Sequence, residues 1–451
     1  MNMEVLDIGH GLSMEPGHID AVVGLQRGDE GKGRFVDMMT SDYSHVARFN
    51  GGPNAGHTVV TPEGREFKLH TVPSGIAHQD KVSVVGDGVF IDVIKFNGEI
   101  DYLIGEGLEV TPENLMISSS AHLILPHHVL GDEKRESGSK GQGSTKSGIA
   151  QVDSDFGLRE GVRAEMIKNE PLELLEIIRE GLIRVGPRWR RIAERIGIPL
   201  QKEMDVAQEY VLRASKLGKF ITDTSIYLNE EMKKGNMILA EGAQAFLLDK
   251  YQGMWPNVTS SITTSGGISP GLGVPPQRIK NVLGVSKSIP SHVGGGHFVT
   301  EIHDACEQQR LHGDLMAGDA ETGTTTGRLR RLGHYDIPVI RRANMVNGTT
   351  EMAITKLDWL SRYGPYIPVC VNYERKGNII PIAPNAEYKL QQSTPQFRCL
   401  PGWDDDISSV RDFNDLPANA QRYVEFIEEQ TGVPVTYIGV GQRRDQVIVR
   451  N

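Results

Sequence analysis

The residues best suited to chemistry fall into a few short strings. In Gly28-Asp29-Glu30-Gly31-Lys32-Gly33, glycines surround a pair of carboxylates and a lysine. Glycine lets backbone N–H groups approach a phosphate closely, and a following helix N-terminus adds partial positive charge. Lys32 supplies a full one. The string is not a P-loop: Gly24 lies seven positions before Gly31, and Gly33 stands where the magnesium-holding hydroxyl belongs. A bound metal must then take its ligand from elsewhere, and Asp29 is the obvious donor. The missing hydroxyl also disfavours a generic GTPase switch.

Three more strings add to this one. In Asn54-Ala55-Gly56-His57-Thr58, a histidine beside a glycine turn could donate a proton or hydrogen bond to a phosphate oxygen. In Thr355-Lys356-Leu357-Asp358, a carboxylate after an apolar run could accept from N1–H and the 2-amino group of guanine, with the Lys356 stem over the base. Taken alone, that weak string is better read as a surface Lys–Asp pair; beside a phosphate loop it suggests a GTP site. In Thr322-Gly323-Thr324-Thr325-Thr326-Gly327-Arg328-Leu329-Arg330-Arg331, hydroxyls and three arginines make a dense receptor for carboxylates, or else a basic loop.

Behind these strings, strands and helices alternate, the pattern of a mostly parallel sheet covered by helices. Ala21-Val22-Val23 reads as a buried strand and Phe35, Val36, Met38 and Met39 as the buried face of the next helix. Further strands are expected at His45–Phe49, Val82–Val85, Met237–Ala240, Val282–Val285, Glu351–Thr355, Pro368–Asn372 and Thr436–Gly439. Helices are expected at Ile91–Ile104 and Ala418–Gln430, with a helical insertion over about 172–217. Residues 1–17 read as an N-terminal extension, 18–451 as one large domain, and Asp132–Ser147 as a mobile polar loop.

At 451 residues, 38% hydrophobic and 24% charged, the composition is that of a soluble globular protein. A net charge of −10 argues against a nucleic-acid scaffold. Cys306, Cys370 and Cys399 are far apart and form no CxxC, so they read as reduced thiols without a zinc site. The first residues lack a basic n-region and no apolar run is long enough to span a membrane. A cytoplasmic location is expected.

Eight blocks, taken in order, resemble the signatures of the adenylosuccinate synthetase family: VVGLQRGDEGKGRFVDMM, RFNGGPNAGHTVV, GSTKSGI, EGAQAFLLD, VTSSITTSGG, TGTTTGRLRRLGHYD, NGTTEMAITKLD and LPGWDDD. They run from about Ile19 to the C-terminus. The resemblance implies a P-loop-like GTP-binding ligase of α/β class with helical and small insertions. It couples IMP to L-aspartate with GTP and Mg²⁺, through a 6-phosphoryl purine.

The resemblance also distributes roles. Asp29 becomes the base at purine N1 and a magnesium ligand, with the Gly56 carbonyl as a second ligand. His57, Lys32 and Gln244 join it as catalytic groups. Gly28, Glu30, Gly31, Lys32, Gly33, Gly56, His57, Thr58, Lys356, Asp358, Gly439 and Gly441 fall at the GTP site. Asp29, Asn54, Thr145, Arg159, Gln244, Thr259 and Arg328 fall at the IMP site, and Arg159 would come from the partner of a homodimer. Thr324, Thr325, Thr326, Arg328 and Arg330 fall at the aspartate site. The segments around 54–66 and 320–331 are expected to order when substrates bind.

Some positions depart from the family pattern. Arg27 replaces a Trp, Ala245 a Gly, Ile262 an Asn and His334 a Trp, while His292 and His297 stand where Arg and Pro are common. The segment Gly148-Ile149-Ala150-Gln151-Val152-Asp153 also differs from the usual Gly-Ile-Gly-Pro-Ala-Tyr. These leave the purine open, since some relatives act on a guanylate. In those relatives the aspartate of the GDE motif is often replaced, and Asp29 is retained here. The alternatives are therefore the same chemistry on GMP or dGMP, and a nucleotide-binding regulator without catalysis.

Overall fold

The structure, a computed structural model, describes residues 16–60, 64–138, 144–197, 202–313 and 329–450. Its central strand, β1 (Ile19–Gly24), is buried along its whole length because both faces are covered. Ile19, Ala21 and Val23 pack on Ala47, Phe49 and Leu228 on one side. Val22 packs on Phe35 and Val36 of helix α1 (Lys32–Met39) on the other. That alternation is the strand period of two applied to a doubly covered sheet.

The other strands of this sheet are β2 (His45–Arg48), β3 (Val82–Val85), β4 (Leu115–Ser118), β5 (Ile221–Thr222), β6 (Ile238–Glu241), β7 (Ile279–Lys287), β8 (Glu351–Thr355), β9 (Val435–Gly439) and β10 (Val447–Val449). Their spatial order is β10-β9-β8-β7-β1-β6-β2-β3-β4-β5. Every neighbouring pair is parallel except β9 with β10. Thus β1 lies where the chain runs off in both directions, and its carboxyl end opens on the crevice where ligands of open α/β sheets bind. The expected strand at Pro368–Asn372 belongs instead to a separate sheet, inside Tyr366–Arg375, which pairs with Thr394–Pro401.

The helical insertion consists of Pro171–Val185, Arg190–Ile196 and Glu203–Ser215. Leu174, Ile178, Leu182, Ile192, Val206 and Tyr210 carry its buried faces into one core with Phe96 and Leu103. The helix expected from Ile91 starts at Val93, because the Asp92 carboxylate caps the N–H groups of Ile94 and Lys95 at 3.1 and 3.2 Å.

The polar stretch from Asp132 is not all loop. Helix α2 (Pro126–Glu136) runs through its first residues, started by Pro126 at the first turn. His128 holds it: Nδ1 accepts from the Leu125 N–H at 3.0 Å and Nε2 donates to Asp155 at 2.8 Å, on helix α3 (Ile149–Leu158). His127, His128 and Asp155 lie close enough to hold a metal. Both nitrogens of His128 are already used in a way that requires the proton on Nε2, so the cluster is better explained as a helix clamp. Of the expected N-terminal extension, residues 1–15 lie outside the described residues. Gly17 is anchored, its N–H donating to Met232 O at 2.7 Å.

Candidate functional site

A cavity of about 970 Å³ opens beyond the carboxyl ends of β1, β2 and β6. The loop after β1 brings Gly28, Asp29, Gly31, Lys32 and Gly33 to its wall, and the segment after β2 brings Asn54, Gly56, His57 and Thr58. Gln244 follows β6, and Thr145, Thr259 and Arg330 complete the expected residues on the lining. Residues far apart in sequence thus converge at one rim of the sheet.

The phosphate loop is braced from within by Glu30, which points away from the cavity. Its carboxylate accepts the Gly28 N–H at 2.8 Å and the Gln26 N–H at 3.3 Å. It also pairs with the Lys32 ammonium at 2.8 Å, and its own carbonyl accepts from Thr355 Oγ at 2.9 Å. Gly24 makes room for this arrangement, since a Cβ there would stand 2.5 Å from Glu30 Oε2. At Gly33 a Cβ would meet the Thr58 carbonyl at 3.3 Å, so the helix start can lie against the His57 segment. Close backbone approach is a reason for glycine where a P-loop has its hydroxyl.

His57 is buried and paired with Glu241, the last residue of β6, at 2.5 Å from Nδ1 to Oε1. Burial alone would raise the Glu241 carboxyl, but His57, Arg48 and the Ser74 N–H hold it down at about 2. Burial lowers the His57 imidazole against the upward pull of Glu241, and Arg48 and Lys32 also lower it. A neutral imidazole donating from Nδ1 to an ionised carboxylate satisfies both trends. His57 Nε2 is buried and has no hydrogen-bond partner among the described residues.

Gln244 donates to Asn54 Oδ1 at 3.0 Å, and Asn50 exchanges two hydrogen bonds with the backbone of Ala243. Six described residues other than glycine have positive φ, and four of them are expected site residues: Asp29 (58°), Arg159 (66°), Gln244 (59°) and Lys356 (57°). Such backbone is uncommon and concentrates at functional sites, where the surroundings fix it at a cost of about 1–3 kcal/mol each.

The arginine string divides. Arg330 Nη2 lies 2.7 Å from Asp29 Oδ2. Arg331 turns the other way, donating to Glu301 at 2.7 Å and to the Gly296 carbonyl at 2.9 Å, so it braces the wall instead of joining the receptor. Thr324, Thr325, Thr326 and Arg328 lie outside the described residues.

The expected guanine contacts sit beside the cavity. Asp358 Oδ1 is buried without a hydrogen-bond partner among the described residues, and burial raises this carboxyl against the pull of its own backbone N–H, Lys356 and Arg34. The Lys356 ammonium rests 3.5 Å over the Trp359 ring. Arg34, which lines the cavity, lies close to Gly439, where a Cβ would stand 3.2 Å from its Nη1. From the turn after Gly441, Arg444 reaches Asp37 of α1 at 3.2 Å. Arg159 does not line the cavity; it is exposed at the end of α3, beside the exposed Phe156 and Leu158.

Glu241, Ser74, Arg48, Asn50 and Arg34 were not singled out by sequence reasoning. For Glu241 a signal existed: it is a lone acid ending an apolar strand, at the rim where ligands bind.

A profile of the family described as adenylosuccinate synthetase matches residues 21–448. The chain belongs to the adenylosuccinate synthetase family. The Brevibacillus brevis adenylosuccinate synthetase is 39% identical over 431 residues, 95% of this chain and 97% of that one. The Caldicellulosiruptor saccharolyticus adenylosuccinate synthetase is also 39% identical, over 96% of this chain and 99% of the relative. Among solved structures, the fully ligated adenylosuccinate synthetase of Plasmodium falciparum superposes with a TM-score of 0.85 at 32% identity, covering 96% of this chain and 100% of that one. The cyanophage S-2L succinoaminodeoxyadenylate synthetase (PurZ), solved with dGMP and dATP, shares the fold at 18% identity and a TM-score of 0.60.

Against the adenylosuccinate synthetase pattern, the departures separate by location. Arg27, Ala150, Asp153 and His292 line the cavity, whereas Ala245, Ile262, His297 and His334 do not. Arg27 lies 4.0 Å over the Phe298 ring and donates to the His297 carbonyl at 3.2 Å, so two departures are in contact. Ala245 has φ −156°, extended backbone that does not require the family's glycine.

Proposed function

We propose that the chain ligates L-aspartate to C6 of IMP at the expense of GTP, through a 6-phosphoryl intermediate, giving adenylosuccinate, GDP and phosphate. Asp29 takes the N1 proton while O6 bonds to the γ-phosphorus and the bond to GDP breaks. The aspartate amine then adds at C6, phosphate leaves with O6, and the amine loses a proton. Lys32, the loop amides and His57 stabilise the phosphoryl group in transit, and Gln244 orients the purine edge. The observation that carries this reading is the convergence of Asp29, Lys32, His57 and Gln244 on one cavity at the end of β1.

In the same reading, Asp358 recognises guanine, Asn54, Thr145 and Thr259 hold the nucleotide phosphate, and Arg330 binds the amino-acid carboxylate. The donor set fits magnesium: the Asp29 carboxylate and Gly56 carbonyl are hard oxygen ligands, and both residues line the same cavity. When bound, the ion would draw negative charge from the phosphates. Arg159 serves the site of a second copy, so the working unit is a homodimer. Its exposure outside the cavity and the neighbouring exposed Phe156 and Leu158 support this. We take residues 18–451 as one domain. Among the described residues no helix is long and apolar enough to cross a membrane. A cytoplasmic location suits the three free cysteines.

A side-by-side assay of IMP, GMP and dGMP with GTP, Mg²⁺ and L-aspartate tests the reading. Adenylosuccinate from IMP is expected, and preferred turnover of GMP or dGMP would transfer the same chemistry to a guanylate. Tight GTP and IMP binding without turnover would make the chain a regulator.

A further inference from the structure

We propose that Glu241 is a positioning residue that fixes the proton of His57 on Nδ1 and thereby commits Nε2 to the phosphoryl group in transit. This rests on the role given to His57 above. The Glu241 carboxylate is fully buried, and both of its oxygens are engaged. Oε1 takes His57 Nδ1 at 2.5 Å and Ser74 Oγ at 2.8 Å, while Oε2 takes the Ser74 N–H at 2.8 Å. An ionised carboxylate only accepts, so Nδ1 must carry a proton in either charge state of the ring.

The consequence falls on the other nitrogen. His57 Nε2 is buried, lacks a partner among the described residues, and belongs to a ring on the cavity wall beside Lys32 and the phosphate loop. A buried polar atom left unpaired is costly, so the position favours a ligand that supplies the partner. Flipping the ring would lose the Glu241 contact and gain nothing, which makes the orientation unique.

The charged groups facing the ring are Glu241 from β6, Arg48 from β2 and Lys32 from α1, and Glu241 is the one among them that can accept from Nδ1. Strand register explains the arrangement: Glu241 pairs with Arg48 across β6 and β2, so the acid and its countercharge are placed by the sheet itself.

The test uses the intact chain with ¹⁵N-labelled histidine. In the ligand-free wild type above pH 7.5, the His57 signals should report a protonated Nδ1 and a bare Nε2. A bare Nδ1 with the proton on Nε2 in this state of an active enzyme would overturn the proposal, while no turnover of IMP, GTP and aspartate would overturn the functional reading and with it the role. Glu241→Gln should lower kcat about 10²- to 10³-fold with KM for GTP and IMP changed less than about threefold. In this variant the ¹⁵N signals should show a proton on Nε2 in part of the molecules, and Glu241→Asp should restore part of the rate together with the wild-type tautomer. A fall in kcat with the tautomer unmoved assigns Glu241 to structure alone and overturns the proposal. Should Glu241→Gln fail to fold, the wild-type tautomer still decides.

Discussion

The Arg330 guanidinium lies 2.7 Å from the Asp29 carboxylate. The end of the arginine string is therefore tied to the loop that carries the proposed base. A charge-assisted pair of this kind gives an incoming carboxylate an arginine to compete for. Asp29→Asn should nearly abolish turnover, by more than about 10³-fold, while GTP binding persists. Arg330→Leu should raise KM for aspartate about 10²-fold with a smaller effect on IMP. Steady-state kinetics at saturating IMP and GTP separates these outcomes, and robust turnover by Asp29→Asn would move the base elsewhere.

Glu30 gives a prediction about the loop itself. Glu30→Ala strips the acceptor from two backbone N–H groups and the partner from the buried Lys32 ammonium. Removing one member of a buried pair costs roughly 3–5 kcal/mol. Urea unfolding should show a loss of this size, and a change below about 1 kcal/mol would mean that the loop holds itself without Glu30.

Asp358 carries the choice of nucleotide base. Its buried Oδ1 lacks a partner among the described residues, as suits a carboxylate that receives the N1–H and 2-amino donors of guanine. Asp358→Asn should weaken KM for GTP by about 10²-fold and improve that for xanthosine triphosphate, whose 2-oxo group accepts from the new amide. Unchanged preference for GTP would place the guanine pocket elsewhere.

Acid sensitivity should trace partly to His334. Burial lowers this imidazole to about 4, and the ring packs on Phe397 at 5.0 Å and contacts Tyr363 Oη at 3.1 Å. For a base depressed on folding, the unfolded chain binds more protons between pH 6.5 and 4. The stability is present above 6.5 and drains as pH falls to about 4. His334→Phe should reduce the stability lost between pH 7.5 and pH 5 by about 2 kcal/mol, read from denaturant unfolding at both pH values. Equal losses in the two proteins would show that His334 does not contribute.

How legible the site was depended on how local each relationship is. Asp29, Lys32 and the glycines share one loop, so their common purpose showed in the string. Arg330 and Arg331 are adjacent and looked equivalent. In extended backbone, adjacent side chains point to opposite faces. Pairing of Arg331 with His292 sends Arg331 to Glu301, and Arg330 meets Asp29. The stretch after Asp132 read as loop because its helix offers few apolar residues. What holds that helix is the His128 contact with Asp155, on another helix.

By itself, the sequence determined the alternation of apolar strands and amphipathic helices, the anion-binding loop after β1 and the blocks that mark the family. These follow from backbone preference and hydrophobic period, which act over a few residues. Only the tertiary structure decided that Glu241 faces His57, that Glu30 turns inward, and that Arg330 rather than Arg331 reaches Asp29. Each of these pairings depends on strand order, register and close packing. Burial then makes them matter, because a charge taken out of water needs the particular partner that the fold places beside it.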